Sequence, residues 1–233
     1  MTNRQEVGTA GRDSQGGLEV RDLRIHREGF EIRVNLHVRP GQRVALLGRS
    51  GCGKTTLLRA IAGLEPVHSG QVCLVGDDVT HLPTERRNLG VVFQDLALFP
   101  SLTVEQNLDF GLRVRGVSRK ERELRLAPWV ERFGLKGREK AALGYLSGGE
   151  RQRVALIRTW VTKPRVLLLD EPFSALDAVL RADFQQLLMD LLAKDPVPVL
   201  WVTHDVSDLD RFATDQVAVR ESSDGAIREF LGP

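Results

Sequence analysis

The chain has 233 residues, of which 42% are hydrophobic and 27% charged, and its formal net charge is +2. That suits one large domain or two small ones with a sizeable core, and the near-neutral balance gives no electrostatic case for a nucleic-acid partner. No window approaches the roughly 18 consecutive apolar residues of a spanning helix, the opening Met1-Thr2-Asn3-Arg4-Gln5-Glu6 lacks the apolar core of a secretory signal, and Cys52 and Cys73 make no disulfide framework. A soluble cytosolic protein is expected, one that relies on a partner for any work at a membrane.

Residues 1–17, polar and glycine-rich, read as a disordered tail. Leu18 to Val38 alternates apolar and polar positions, a strand pattern with one buried face, and Pro40-Gly41 makes a turn. Arg43 to Leu47 is a short buried strand feeding a glycine loop, Lys54 to Ala62 is a helix, and Gly63 is its stop. Gln71 to Val75 and Gly90 to Phe93 are further strands. From about Leu96 to residue 146, helical spacing and charge-rich faces take over, which predicts a helical subdomain inserted into an α/β core. A helix then runs from Ser147 towards Pro164. Val166-Leu167-Leu168-Leu169 has no alternation and is therefore a strand buried on both faces, as in a parallel sheet covered by helices. Leu180 to Leu192 is helical, Val199 to Thr203 is a last buried strand, and Gln216 to Phe230 is a hairpin turning at Ser222-Ser223-Asp224-Gly225.

Two segments are built for phosphate. Gly48-Arg49-Ser50-Gly51-Cys52-Gly53-Lys54-Thr55 follows the G-x-x-x-x-G-K-[ST] pattern between a buried strand and a helix. Its glycines let backbone N–H groups approach phosphate oxygens, Lys54 reaches the β- and γ-phosphates, and the Thr55 hydroxyl is a Mg²⁺ ligand. The second is Leu146-Ser147-Gly148-Gly149-Glu150-Arg151-Gln152-Arg153, a helix N-terminus with free backbone N–H groups and the positive end of the helix dipole. One nucleotide does not need both devices from one chain, so the pair predicts a nucleotide shared between two chains. Asp170-Glu171 ends the buried strand, where a carboxylate is costly unless it meets a cation. Asp170 fits a Mg²⁺ ligand, direct or through water, and Glu171 a general base polarising the attacking water.

With these motifs in order, the chain resembles the nucleotide-binding subunit of an ATP-binding cassette (ABC) transporter over nearly all of residues 18–220. Gly48 to Thr56 resembles the Walker A motif, Val92-Phe93-Gln94-Asp95 the Q-loop, Leu146 to Gln152 the signature motif and Val166 to Pro172 Walker B. Ser174-Ala175-Leu176-Asp177 resembles the D-loop and Thr203-His204-Asp205 the H-loop. The resemblance implies an α/β fold: a P-loop NTPase core with a mixed sheet, an N-terminal antiparallel β region and an inserted helical subdomain over about 96–146. Residues 221–233 remain as a short C-terminal hairpin and tail. It also implies a head-to-tail homodimer with two ATPs at its interface. Gln94 then touches Mg²⁺ or the attacking water, His204 contacts the γ-phosphate, and Asp177 reaches the partner's site. Lys54 of one chain faces Ser147, Gly148 and Gly149 of the other.

The implied function is ATP hydrolysis that drives solute transport through separate membrane permease subunits, with the chain peripheral on the cytoplasmic side of the cell membrane. Phe99-Pro100-Ser101-Leu102-Thr103-Val104-Glu105-Gln106-Asn107 is similar to bacterial importers of small solutes such as ions, thiamine or polyamines, which work with a solute-binding protein. Relatives with a regulatory C-terminal domain are longer, so none is expected here. The alternative is a cassette ATPase of translation or DNA repair, which usually carries two cassettes, a coiled-coil insertion or zinc-binding cysteines. A small-molecule kinase shares the phosphate loop but leaves the Ser147 segment unexplained. Three departures stand out. No tyrosine or tryptophan stands where an aromatic usually stacks on adenine, leaving Arg27 or His26 to stack on the base, with the nearby Phe30 readable simply as core. Glu150 replaces a frequent glutamine, and Thr159-Trp160 stands where small residues are usual. Cys52 in the loop makes thiol modification an expected block to ATP.

Overall fold

The computed structural model describes residues 16–174 and 176–232. Residues 1–15 of the expected tail, and Ala175, lie outside them. The alternating stretch at the start is two strands, β1 (Leu18–Arg27) and β2 (Phe30–Val38), antiparallel and joined at Glu28-Gly29. Gly29 makes the reversal at φ 84°, a left-handed conformation open to glycine. The alternation is the cause of the burial: Leu18, Val20, Leu23 and Ile25 on β1 and Ile32, Val34, Leu36 and Val38 on β2 all face the core.

After β3 (Arg43–Leu47) come α1 (Lys54–Ala62), β4 (Ser69–Leu74), the short β5 (Asp77–Asp78) and β6 (Leu89–Val92). The helical region follows as α2 (Val104–Val114) and α3 (Arg119–Arg132), and then α4 (Gly148–Trp160) returns the chain to the sheet at β7 (Val166–Asp170). The chain closes with α5 (Ala178–Lys194), β8 (Val199–Val202), α6 (Ser207–Phe212), β9 (Asp215–Glu221) and β10 (Ile227–Leu231).

Among the described residues, ten strands form one mixed sheet in the order β5-β4-β1-β2-β10-β9-β3-β8-β7-β6. Strands β9, β3, β8, β7 and β6 are mutually parallel, and β5, β4, β1 and β2 are antiparallel. The tail hairpin is present, but it is no appendage. Strand β10 lies parallel to β2, β9 lies parallel to β3, and the hairpin joins the antiparallel half of the sheet to the parallel half.

The non-alternating strands divide their side chains between two cores. Val166, Leu168, Leu200 and Val202 pack with α1 and the antiparallel strands, while Leu167, Leu169, Val199 and Trp201 pack with the helices on the other face. An aromatic cluster fills that second core: Phe173, Trp201 and Phe212 meet edge to face with centroids 5.1–5.7 Å apart. Thr159 and Trp160 belong to it too. Trp160 is buried, and Thr159 bonds the Ala155 carbonyl at 3.0 Å while its methyl closes on Gly90 of β6, so their role is packing α4 on the sheet.

Helix α1 carries the phosphate loop at its start and an unexpected clamp at its end. The Arg87 guanidinium is buried and donates to the carbonyls of Ala60 (3.1 Å), Ile61 (2.7 Å), Thr80 (2.7 Å) and Leu82 (2.9 Å). Two of these are carbonyls of the last turn of α1, which lack a helical partner four residues on, although Ala60 also accepts from the Gly63 amide at 3.0 Å; a cation there meets the negative end of the helix dipole. Burial pulls the Arg87 pKa down. Gly63, at φ 78°, leaves the room for it: a Cβ there would stand 2.6 Å from the guanidinium. Arg87→Ala should therefore cost about 3 kcal/mol by stranding buried carbonyls, read as a lower midpoint in urea denaturation at unchanged slope.

Candidate functional site

The parallel strands end in register. Leu46 pairs with Val202, and Val202 with Asp170, so the loop after β3, Asp170-Glu171 after β7 and His204 after β8 emerge at one edge of the sheet. This is the C-terminal edge, where open α/β sheets hold ligands.

The phosphate loop runs from Gly48 to Thr56 and ends in α1. Gly53 is the residue before the helix at φ 98°, and a Cβ there would stand 2.6 Å from the Ile32 side chain, so only glycine fits. The Lys54 side chain is buried and its ammonium donates to the carbonyls of Gly48 (2.7 Å) and Arg49 (2.9 Å), folding the loop around the cation. Cys52 is buried with its Sγ 3.8 Å from Lys54 Nζ, so the thiol lies under the loop rather than on it. Arg49, Ser50 and Gly51 form the outer rim, and Thr56 begins α1 with Thr55.

Thr55 Oγ1 donates to Asp170 Oδ1 at 3.1 Å. Burial raises the Asp170 pKa, with the Thr55 hydroxyl acting the other way. A buried carboxylate beside a hydroxyl is a pair of hard oxygen donors, the set that suits Mg²⁺. One residue on, Glu171 has φ 49°, unusual for a residue with a side chain and the mark of a held conformation. Its carboxylate accepts from Gln94 Nε2 at 3.3 Å and lies 3.2 Å from His204 Nδ1. Gln94, Glu171 and His204 are thus brought together, with Glu171 in the middle. A cleft of about 620 Å³ lined by Thr55, Arg59, Gln94 and Asp170 opens beside them.

The Gln94 loop is held by a residue that sequence reasoning passed over. Arg158 of α4 donates to the carbonyls of Leu96 (2.8 Å) and Ala97 (2.7 Å), both left-handed at φ 61° and 42°, and stacks on the Phe99 ring. Desolvation lowers its pKa. Asn107, fully buried, holds the rest of the segment through the Phe99 amide and carbonyl and the carbonyls of Leu102 and Thr103. Val104 is core, and Leu98, Phe99 and Leu102 are half-buried. Neither Arg158 nor Asn107 has a local sequence signal, because their partners are backbone groups: carbonyls of a distant segment for Arg158, and amide and carbonyls of an irregular one for Asn107.

Ser147, Gly148 and Gly149 lie at the start of α4, where their contacts are with the first turn of that helix and with Leu176 and Leu180. Ser147 Oγ accepts from the Glu150 amide at 3.2 Å and Glu150 Oε2 accepts from the Ser147 amide at 2.8 Å, a reciprocal cap. That backbone hydrogen bond is the main reason the Glu150 pKa is lowered. A Cβ on Gly149 would touch Leu180 at 3.4 Å and Leu176 at 3.8 Å, so α4 starts against the loop that carries Asp177. Asp177 caps α5 by accepting from the amides of Val179 (3.1 Å) and Leu180 (2.9 Å).

The candidate base-stacking residues are engaged elsewhere. Arg27 pairs with Glu65 at 2.6 Å, and His26 bonds Glu31 and stacks on His68 with centroids 4.0 Å apart. Phe30 is capped by Arg228 of β10, whose guanidinium stands 3.6 Å from the ring centroid and donates to the Gly51 carbonyl.

A protein-family model described as ABC transporter matches residues 32–174. The Fe(3+) ions import ATP-binding protein FbpC of Escherichia coli O157:H7 is 45% identical over 175 residues, 75% of this chain and 50% of that protein. The sulfate/thiosulfate import ATP-binding protein CysA of Gloeobacter violaceus is 50% identical over 172 residues, 74% of this chain and 50% of that protein. The spermidine/putrescine import ATP-binding protein PotA of Spiroplasma citri is 41% identical over 218 residues, 93% of this chain and 61% of that protein. The chain thus spans half to three-fifths of the length of these relatives. With 143 of its residues inside the family match and the motifs gathered at one sheet edge, the chain belongs to the ABC transporter family.

Proposed function

We propose that this chain is the ATP-binding and ATP-hydrolysing subunit of an importer. It works as a head-to-tail homodimer on the cytoplasmic face of the membrane, against separate permease subunits fed by a solute-binding protein. The observation that carries the reading is the convergence of Gln94 and His204 on Glu171, at the same edge as Lys54 and the Thr55–Asp170 pair. The membrane part is assigned to a partner because the relatives' names are those of import ATP-binding proteins; among the described residues no helix is long and apolar enough to cross a bilayer. The names of the relatives span iron(III), sulfate or thiosulfate, and polyamines, so small hydrophilic solutes are the proposed cargo class.

In this reading the backbone N–H groups of the glycine loop and Lys54 hold the β- and γ-phosphates. Thr55 and Asp170 would hold Mg²⁺, which when bound neutralises phosphate charge. Glu171 accepts a proton from the attacking water, Gln94 orients that water through its amide, and His204 fixes the carboxylate from the other side while donating towards the γ-phosphate. Ser147, Gly148 and Gly149 of the second chain close over the γ-phosphate, bringing an α-helix N-terminus to the developing charge. Asp177, capping the helix beside that segment, shapes the same closure. A lone chain binds ATP and hydrolyses it poorly.

Glu171→Gln keeps the Gln94 and His204 contacts in shape but removes the base. Phosphate release should fall by roughly 10²- to 10⁴-fold, and Mg-ATP should hold the variant as a dimer in light scattering. A variant that stays monomeric at saturating Mg-ATP would count against the shared site. Glu150 sets a carboxylate at the helix end that closes on phosphate, only partly offset by Arg138 at 3.6 Å. Glu150→Gln keeps a side-chain acceptor for the Ser147 amide and removes the charge, so ATP-driven dimerisation should tighten roughly twofold to fivefold, measured by ATP titration at low salt.

A further inference from the structure

We propose that Arg181 of α5 is a positioning residue for His204: it fixes the segment that presents the imidazole to Glu171, and so couples the helix capped by Asp177 to the hydrolytic centre. The inference rests on the ATPase reading above.

His204 cannot hold its own place. Its side chain is 63% exposed, and the contact that fixes it is the one to Glu171. Its position is set by its neighbours. On one side, the Thr203 hydroxyl accepts from the Asp205 amide at 3.0 Å and donates to Asp208 Oδ2 at 3.2 Å. On the other, Asp205 Oδ1 accepts from the Ser207 amide (2.9 Å) and hydroxyl (2.6 Å). Both threads end on α5. Arg181 Nη1 bonds Asp205 Oδ2 and lies 3.8 Å from Asp208 Oδ1, and Gln185 Nε2, one turn on, donates to Asp208 Oδ1 at 2.8 Å.

Gln185, Thr203 and Asp208 are buried, so the bonds among these three are little screened, whereas the Arg181–Asp205 pair is partly exposed. The acids on either side of Val206 answer in opposite ways. Asp205 is held at about 2, first by the Ser207 bonds and then by Arg181, while burial pushes Asp208 up. Arg181 is the cation between them. With Asp205 and Asp208 both tied to α5, the segment on either side of His204 is anchored to one rigid helix, which is what a loosely held histidine requires.

The same guanidinium lines a small cavity with Glu171, Ser174 and His204. The Arg181 amide also donates to the Asp177 carbonyl at 2.9 Å in the first turn of α5. Asp177 and His204 are therefore attached to one helical turn, and a displacement of Asp177 by a second chain is delivered to the imidazole through Arg181.

The test is a double-mutant cycle on steady-state ATP hydrolysis by the full chain. Arg181→Ala should lower kcat roughly tenfold with KM for ATP and ATP affinity within about twofold, and Arg181→Lys should recover part of the loss by restoring the cation facing Asp205. In a His204→Ala background, Arg181→Ala should change kcat less than twofold, because the residue through which it acts is gone. Asp205→Asn, which keeps shape and removes the ion pair, should repeat this pattern and serves if Arg181→Ala fails to fold. Multiplicative losses in the double variant, or a loss of ATP affinity equal to the loss of rate, overturn the inference while leaving the ATPase reading in place. A wild-type chain that hydrolyses no ATP in the dimer overturns both.

Discussion

Everything at the site depends on one constraint: β3, β7 and β8 are buried on both faces and end in register. A strand with no solvent face cannot carry a charged residue along its length. The chain therefore meets its first tolerable place for a carboxylate, an ammonium or an imidazole where the strands stop. Asp170 opposite Val202, and Val202 opposite Leu46, set the three stops side by side. Lys54, Asp170, Glu171 and His204, far apart in sequence, meet for that reason. The two-core packing that makes the strands so apolar is also what gathers the chemistry.

A second regularity is how cations are used. Arg87, Arg158 and Lys54 each end on backbone carbonyls rather than on a carboxylate. A guanidinium or an ammonium can satisfy several carbonyls at once, and the segments that need one are those whose backbone is not in a ladder: the end of α1 and the left-handed Leu96-Ala97 turn, each held by an arginine, and the glycine loop, held by Lys54. These residues tie irregular loops to rigid elements. The Gln94 loop is thereby anchored to α4, the helix whose other end carries Ser147. Motion of one end of α4 has a direct mechanical path to the other.

The regular elements and the phosphate-binding segments were legible because their signals are local. Alternation over Leu18–Val38 reports one buried face, the unbroken run Val166–Leu169 reports two, and the glycine-lysine spacing reports a loop that must wrap an anion. Lys54–Ala62 has the bounds its pattern predicts. What was not legible is non-local. Nothing near Arg87, Arg158 or Arg181 in the chain distinguishes it from a solvated arginine, since the partners lie tens of residues away or are carbonyls without identity. The place of the tail hairpin between β2 and β3 is likewise a property of the sheet and not of residues 215–231. The cover on the Phe30 ring was not legible either, because the residue that supplies it, Arg228, comes from that hairpin.

The two halves of the proposed composite site are each finished before they meet. Ser147 is capped by Glu150, Asp177 is spent on the start of α5, and Lys54 is folded into its own loop. Little side-chain order remains to be created on association, which lowers its entropic cost. What must change is the set of partners. In the proposed dimer the Lys54 ammonium would exchange its carbonyl bonds for phosphate, a charge-assisted bond for a stronger one, and the Glu150 carboxylate would come to face an anion. The first exchange favours closure and the second opposes it. In the proposed dimer the balance between Lys54 and Glu150 would make closure depend on the γ-phosphate: without that anion the facing helix end would have nothing to bind, and with it the glutamate would keep the closed state from becoming too stable to release product.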